Sequence, residues 1–587
     1  MRTLLRLLPW IRPYRWRFTV GLISVVISTA LSSLIPTLLR RAIDRLGQPD
    51  PWIPVLEIAG LMLAVTLTMA IFRFTMREIL NGVSRVIEND LRDALFARLT
   101  TLDGAWFGRM RTGEIMARLT NDLTAVRMAV GPAVMYLTNT IFGGLFALGF
   151  MIAISPRLTG LALIPMFLLP VVMFRLGKVT HDRFERVQST FGDLTTLVQE
   201  HLAGIRIVRA YAQEQAERAR FAELSEAYLH RNRALVRLNG LMNPAFTLLA
   251  GLGAAVVLGA GGVMVLEGAL TVGTFVAFGL YLSNLTWPLI ALGWVTNLFQ
   301  RGAASWGRIE AILDAHPTIT DPVTPRVAAA LPQATAGRTI SFDGVSFAYP
   351  AASGARGRTV LHDVTLTIPA GTTLGVVGAT GSGKSALLEL LPRLADPTQG
   401  VIRLDGVDLR DLPLATLRAE IGFVPQESLL FSETIRDNLH YGTEDDDAVR
   451  EATRVAQLAE TIEGLPQGEQ TILGERGVNL SGGQRQRAAL ARALARRPNV
   501  VILDDALAAV DTQTEAEILR ELYLALAGRT AIIASHRITA VRAAHWIVVL
   551  DEGRIVEQGR HDDLVAAGGR YAALLERQRL EESLTAA

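Results

Sequence analysis

Eight consecutive residues, Gly378-Ala379-Thr380-Gly381-Ser382-Gly383-Lys384-Ser385, have the types and spacing needed to hold phosphate. Glycines let successive backbone N–H groups point inward, and a helix starting there adds the positive end of its dipole. Lys384 can then reach β- and γ-phosphates, and the Ser385 hydroxyl can sit on Mg2+. A glycine loop alone is usually no more than a turn. Here the apolar run Leu374-Gly375-Val376-Val377 precedes it and Ala386-Leu387-Leu388-Glu389-Leu390 follows. That predicts strand, loop and helix in the order a phosphate cradle requires. Of 58 Lys and Arg residues only Lys178 and Lys384 are lysine, so the loop keeps a compact ammonium in an arginine-rich chain. The pattern predicts binding of a nucleoside triphosphate with Mg2+.

A second run supplies acid. Val500-Val501-Ile502-Leu503 reads as a buried strand ending in Asp504-Asp505. Asp504 is placed to hold Mg2+, directly or through water, and Asp505 stands where a base would polarise the attacking water. An apolar run ending in two aspartates is commonplace by itself; its meaning comes from the cradle upstream.

These groups must be positioned by a chain of 587 residues, too long for one ordinary domain. Half of it is hydrophobic, 19% is charged and the mean hydropathy is +0.31, too apolar for a soluble enzyme of this size. The net charge of +2 gives no reason to expect nucleic acid as a partner. There is no cysteine, which excludes disulfides, thiolate metal sites and cysteine nucleophiles.

The first half reads as membrane. Apolar runs at about 18–40, 53–74, 131–155, 158–177, 240–266 and 271–299 are each near the ~20 residues that span a bilayer. An even number of spans leaves both ends on one side. Arg2, Arg6, Arg12, Arg15 and Arg17 precede the first span, and the long segments 75–130 and 178–239 are arginine-rich. The positive-inside rule puts these in the cytoplasm, with Arg40, Arg41 and Arg45 as a departure partly offset by Asp44 and Asp50. The first span is too long for a cleaved signal peptide and lacks its small-residue site. Pro244 and Pro288 fall inside the last two spans, where they would loosen the helix.

Pro322, Pro325 and Pro332 mark a linker at 317–336 between a membrane domain, 1–316, and a second domain at 337–575, with a tail at 576–587. Beyond the linker, strand-like runs alternate with helices in an α/β pattern. The alternation over Ile340–Tyr349 predicts a half-buried strand.

Between the cradle and the aspartates lies Leu480-Ser481-Gly482-Gly483-Gln484-Arg485-Gln486-Arg487. It resembles the signature of ATP-binding-cassette (ABC) proteins, and with six spans ahead of it nearly the whole chain resembles a half-size ABC exporter. The resemblance implies a membrane all-α six-helix domain followed by an α/β P-loop nucleotide-binding domain. It implies that Tyr349 stacks on adenine, that Gln426 senses Mg2+ and the γ-phosphate, and that His536 contacts the γ-phosphate. Asp511 matches the D-loop, and Gly474-Glu475-Arg476-Gly477 matches the segment that touches the membrane domain. Singly, such residues are more often packing or solvated groups; their order and spacing carry the match. In the family, Leu480 to Gln484 grip the nucleotide on the opposite subunit, so a chain with one cassette must dimerise. Phe107 with Gly113–Asp122, and Glu200–Phe221 around Gly204–Tyr211, resemble the two intracellular loops that couple cassettes to spans.

The chain departs from the family at the base position, where Asp505 replaces glutamate. Ala508 and Val510 replace the usual serine and leucine of the D-loop. A carboxylate one methylene shorter cannot hold water in the same place, and a misplacement near 1 Å can cost about a hundredfold in rate. The expectation is a site that binds ATP but hydrolyses it poorly, in a heterodimer whose partner half-transporter carries the glutamate. A slow homodimer or a lipid flippase is the alternative, and an ATP-gated regulatory or channel-like ABC protein is a rival of another class.

The spans show few charges. Glu57 lies toward an outer end, with Asn139, Asn243, Ser283, Asn284, Thr286 and Asn297 as mild polar groups. A cavity without fixed charge suits small hydrophobic or amphipathic cargo such as drugs, lipids or peptides. The family places such a chain in the bacterial inner membrane, within the lipid bilayer and with the cassette in the cytoplasm.

Overall fold

The computed structural model describes residues 2–47, 52–322, 331, 337–350, 356–474 and 480–586. Most of the expected linker, the residues 475–477 and Ala587 lie outside them. Two compact units result: Met1–Thr100 with Gly113–Ala315, and Thr101–Thr112 with His316–Ala587.

The first unit is helical. Its long helices are α1 (Arg15–Leu46), α2 (Trp52–Leu99), α3 (Pro132–Ile154), α4 (Pro156–Ala203), α5 (Glu214–Val256) and α6 (Val272–Leu313). Among the described residues four helical stretches are long and apolar enough to cross a membrane: Thr3–Leu46, Trp52–Leu99, Thr112–Ile154 and Glu214–Leu266. The other two expected spans fall on α4 and α6, each of which includes residues whose side chains are outside the described set. The helices outrun the apolar runs. α2 has 48 residues, about 72 Å at 1.5 Å per residue, more than twice a ~30 Å hydrocarbon core. Beyond the apolar run the helix is continued by charged residues in i,i+4 pairs such as Glu88 and Arg92, 3.3 Å apart. The helices pass through Pro244 and Pro288, and also through Pro36.

The second unit is α/β. One antiparallel sheet has the order β2-β1-β4-β5, from β1 (Ile340–Pro350), β2 (Arg356–Ile368), β4 (Gln399–Leu404) and β5 (Val407–Asp408). The other has the order β10-β9-β3-β8-β7-β6. Its strands are β3 (Thr373–Val377), β6 (Ile421–Val424), β7 (Val500–Asp504), β8 (Thr530–Ser535), β9 (Trp546–Asp551) and β10 (Arg554–Gly559). β3, β6, β7, β8 and β9 pair in parallel, and only β10 runs against them. β3, β7 and β8 are buried at every position, as strands covered on both faces must be, which is why they read as continuous apolar runs. The register aligns their carboxyl ends, with Val377 opposite Ser535 and Asp504 opposite Ala534. Segment 101–112 belongs to this unit too: Asp103 accepts hydrogen bonds from the Thr318 backbone N–H (2.8 Å) and hydroxyl.

Candidate nucleotide site

In an open parallel sheet, ligands bind outside the carboxyl ends of the strands. Four loops meet at that edge. β3 runs into Gly378–Ser385 and helix α7 (Lys384–Glu389), β7 ends at Asp504 and Asp505, β8 leads to His536, and β6 leads to Gln426.

The loop needs its glycines. A Cβ on Gly378 would lie 2.3 Å from the Leu550 carbonyl oxygen and 2.6 Å from Ser382 Oγ. Gly381 and Gly383 take φ of +82° and +103°, which L side chains rarely adopt. Lys384 is buried (7% exposed), and its Nζ donates to the carbonyls of Gly378 (2.8 Å) and Ala379 (3.1 Å). Burial lowers its pKa, and the negative charges of Asp505 and Asp504 oppose that shift. Ala379, Thr380 and Gly381 remain exposed at the loop's crest.

Asp504 is 3% exposed, and its Oδ1 is buried with no hydrogen-bond partner. Burial raises its pKa; a hydrogen bond from Ser385 and the charge of Lys384 pull the other way, and Asp505 adds to the rise. The Ser382 hydroxyl is likewise buried and unpartnered. Buried polar atoms are nearly always satisfied, so two orphans beside an open cradle fit a missing ligand. Asp504 and Ser385 would hold Mg2+. Among the described residues no cluster of three or more His, Asp or Glu could hold a metal. Mg2+ accords with that, because it takes one or two protein ligands and fills its shell with phosphate and water.

The pKa shift has a measurable consequence. Cation binding needs an ionised Asp504, so affinity falls as pH drops through a pKa lifted above the ordinary aspartate range. The Mg2+-dependent part of ATP affinity, followed by fluorescence titration, should decline by about tenfold per pH unit below that point. The same decline in an Asp504→Asn variant would contradict this, because the fall would then belong to protonation of the ATP phosphate, which titrates at about pH 6.

Asp505 sits at φ +44° and is 8% exposed. Its Oδ1 accepts from the His536 backbone N–H at 3.0 Å and lies 2.8 Å from His536 Nδ1. Both sequence-selected groups are therefore bound to each other. Gln486, on helix α8 (Gly482–Ala495), donates to the Asp505 carbonyl (3.3 Å) and accepts from the Ala509 N–H (2.8 Å), tying the D-loop to the acid.

Other selected residues sit differently. Tyr349 leaves its ring 44% exposed, and its hydroxyl donates to Glu389 at 3.0 Å. Gln426 is exposed beyond the end of β6. Ser481 caps α8 and forms a reciprocal box with Gln484, at 3.2 and 2.8 Å. Gly482 and Gly483 allow Ala509 to approach: a Cβ on Gly483 would lie 2.8 Å from its carbonyl oxygen. No hydrogen bond among the described residues joins this segment to the cradle. The Leu480 side chain is in the apolar core, 5% exposed. Asp511 caps helix α9 (Thr512–Ala525), accepting from the Thr514 N–H at 3.0 Å.

Two groups escape the sequence reading. Glu389 lies one helical turn beyond Ser385 on the same face of α7, a spacing that could have flagged it; burial and the nearby Asp504 raise its pKa, against the Tyr349 hydrogen bond. Gln578, on helix α10 (Arg570–Ala586), holds the switch loop, accepting from the Ile538 N–H at 2.9 Å and donating to the His536 carbonyl. No sequence signal marks it.

Residues 18–289 match the ABC transporter transmembrane region, and residues 361–508 match the ABC transporter family. The chain is 36% identical over 590 residues to a probable multidrug resistance ABC transporter ATP-binding/permease protein of Bacillus subtilis, covering 99% of this chain and 98% of that protein. The chain is a half-size ABC exporter. This exporter is also 35% identical to an ATP-dependent lipid A-core flippase of Syntrophus aciditrophicus, over 99% of its own length and 95% of the flippase. Its fold matches a bacterial Atm1-family ABC exporter with ATP bound, at a TM-score of 0.75 and 29% identity, covering 96% of this chain and 98% of the other. The helical membrane domain and sheet-containing nucleotide-binding domain expected from the resemblance are both present.

Proposed function

We propose that this chain is one half of a dimeric exporter of amphipathic molecules in a bacterial inner membrane, and that its own ATP site hydrolyses slowly. The observation that carries the second part is Asp505, a short carboxylate whose Oδ1 is already engaged by His536. An acid so held is poorly placed to orient an attacking water. Lys384 and the loop amides bind the phosphates, Tyr349 offers an open ring face to the base, and Asp504 with Ser385 holds Mg2+, which neutralises phosphate charge when bound. The capped signature, Ser481 to Gln484, completes the site of a partner half-transporter that carries glutamate at the base position. Closure of the paired cassettes over ATP is passed to the spans through Phe107 with Gly113–Asp122 and through Glu200–Phe221, which turns the cavity outward.

A homodimer, or a flippase of slow turnover, is supported by one observation: His536 is intact and in contact with the acid. The flippase named above is a relative of matching length.

Export itself is tested in inside-out vesicles carrying Asp505→Glu chain and a fluorescent amphiphilic dye. ATP should drive dye accumulation, and Lys384→Met should abolish it. Equal accumulation without ATP would contradict export.

A further inference from the structure

The membrane unit carries an open cavity of about 450 Å³. Its wall includes Arg73 and Arg77 of α2, Ser28 and Thr29 of α1, and Asn139 of α3, and no aspartate or glutamate. This corrects the expectation of a cavity without fixed charge. The two arginines are one helical turn apart, so both guanidinium groups serve one face. Among the described residues neither has an ion-pair partner; Arg73 reaches only Met69 Sδ, at 3.8 Å. The Thr29 hydroxyl lies 2.7 Å from the Val25 carbonyl oxygen and 2.8 Å from the Asn139 side-chain amide, whose NH2 group carries two hydrogens to donate.

The depth of these charges follows from how α1 and α2 pack. The Tyr14 hydroxyl donates to Asp90 at 2.7 Å, a Cβ on Gly21 would meet Leu80, and Val25 clusters with Met76 and Leu80. This antiparallel register brings Arg73 level with Ser28. Ser28 is 11 residues past Arg17 (28 − 17), about 16 Å along α1, or roughly half of a ~30 Å core. With the termini cytoplasmic, side chains on α2 lean toward its N-terminus and thus deeper into the membrane, against any snorkelling to the cytosol. Charge at such depth is costly and marks a pathway or a counter-ion site.

We propose that this cavity receives the acidic headgroup of an amphiphile, a phosphate or carboxylate carried on an apolar tail, with Arg73 and Arg77 as paired cations and Asn139 as a donor. The inference rests on the exporter reading and narrows its cargo. Arginine suits the role because its planar fork bonds such oxyanions bidentately.

The test is equilibrium binding, without nucleotide, to the full chain in zwitterionic nanodiscs. A fluorescent decyl phosphate is displaced by decyl phosphate, decyltrimethylammonium or inorganic phosphate. Decyl phosphate should compete at a concentration about tenfold lower than the ammonium amphiphile, and Arg73→Gln with Arg77→Gln should weaken it about tenfold. Arg73→Lys with Arg77→Lys, which keeps the charge and loses the fork, should bind between wild type and the glutamine variant. Equal competition by the two amphiphiles in the wild type, or no loss in the glutamine variant, would overturn the proposal. Displacement by inorganic phosphate at the same concentration would overturn it as well, making the cavity a plain anion site. Since no ATP is present, a chain that binds decyl phosphate but moves no dye would refute export and leave this inference standing.

Discussion

Asp505→Glu should raise the ATPase rate of the purified chain by about tenfold to a hundredfold. In the wild type Oδ1 of Asp505 is held by both the backbone and the ring of His536, and the carboxylate is nearly buried. A longer side chain can keep contact with the histidine and still extend an oxygen toward the water. The substitution carries a cost. Residue 505 has φ of +44°, and short polar side chains are among the few that adopt this region without the penalty of about 1–2 kcal/mol other residues incur. The variant should therefore turn over faster while melting at a slightly lower temperature. Phosphate release and a melting curve on the same preparation check both; a faster rate without glutamate's reach has no other source here.

In the Asp505→Glu background, Lys384→Met should reduce turnover by about a hundredfold to a thousandfold. The amine bonds the carbonyls of Gly378 and Ala379 and is the charge opposite Asp504 and Asp505. Its removal leaves buried carbonyls without a donor, at about 1–3 kcal/mol, and two carboxylates without a cation. Lys384→Arg should be nearly as inactive, because a planar fork does not fit a space where lysine is 7% exposed. In the same background, activity equal to that of Asp505→Glu alone in the arginine variant would show that charge alone is needed. Circular dichroism separates lost chemistry from lost fold.

Much of the cassette was legible because its chemistry demands fixed residue types at fixed spacing. The cradle could be read from Gly378 to Ser385, and the two flanking strands stood out as apolar runs because parallel strands are covered on both faces. What the sequence hid is pairing across distance. That Asp505 meets His536, 31 positions on, depends on β7 and β8 lying side by side, and nothing local encodes it. Gln578 on the switch loop is hidden for the same reason. That the Leu480 side chain packs inward while Ser481 caps the next helix is likewise set by the fold and not by the motif. Arg73 and Arg77 were passed over because they stand at the inner edge of an apolar run, where arginine normally marks the interface; only the register against α1 puts them at depth. Hydropathy marks where the bilayer ends and helix propensity continues past it, so α2 and α4 outrun the apolar runs at 53–74 and 158–177.

The central claim is a site that binds ATP and scarcely hydrolyses it. The most direct measurement is ATP bound per chain against phosphate released, for wild type alone beside Asp505→Glu. The account predicts near-stoichiometric binding in both, negligible turnover in the wild type and a marked rise with glutamate. Robust wild-type turnover, unchanged by glutamate and lost in Lys384→Met, would mean a working homodimer and would contradict it.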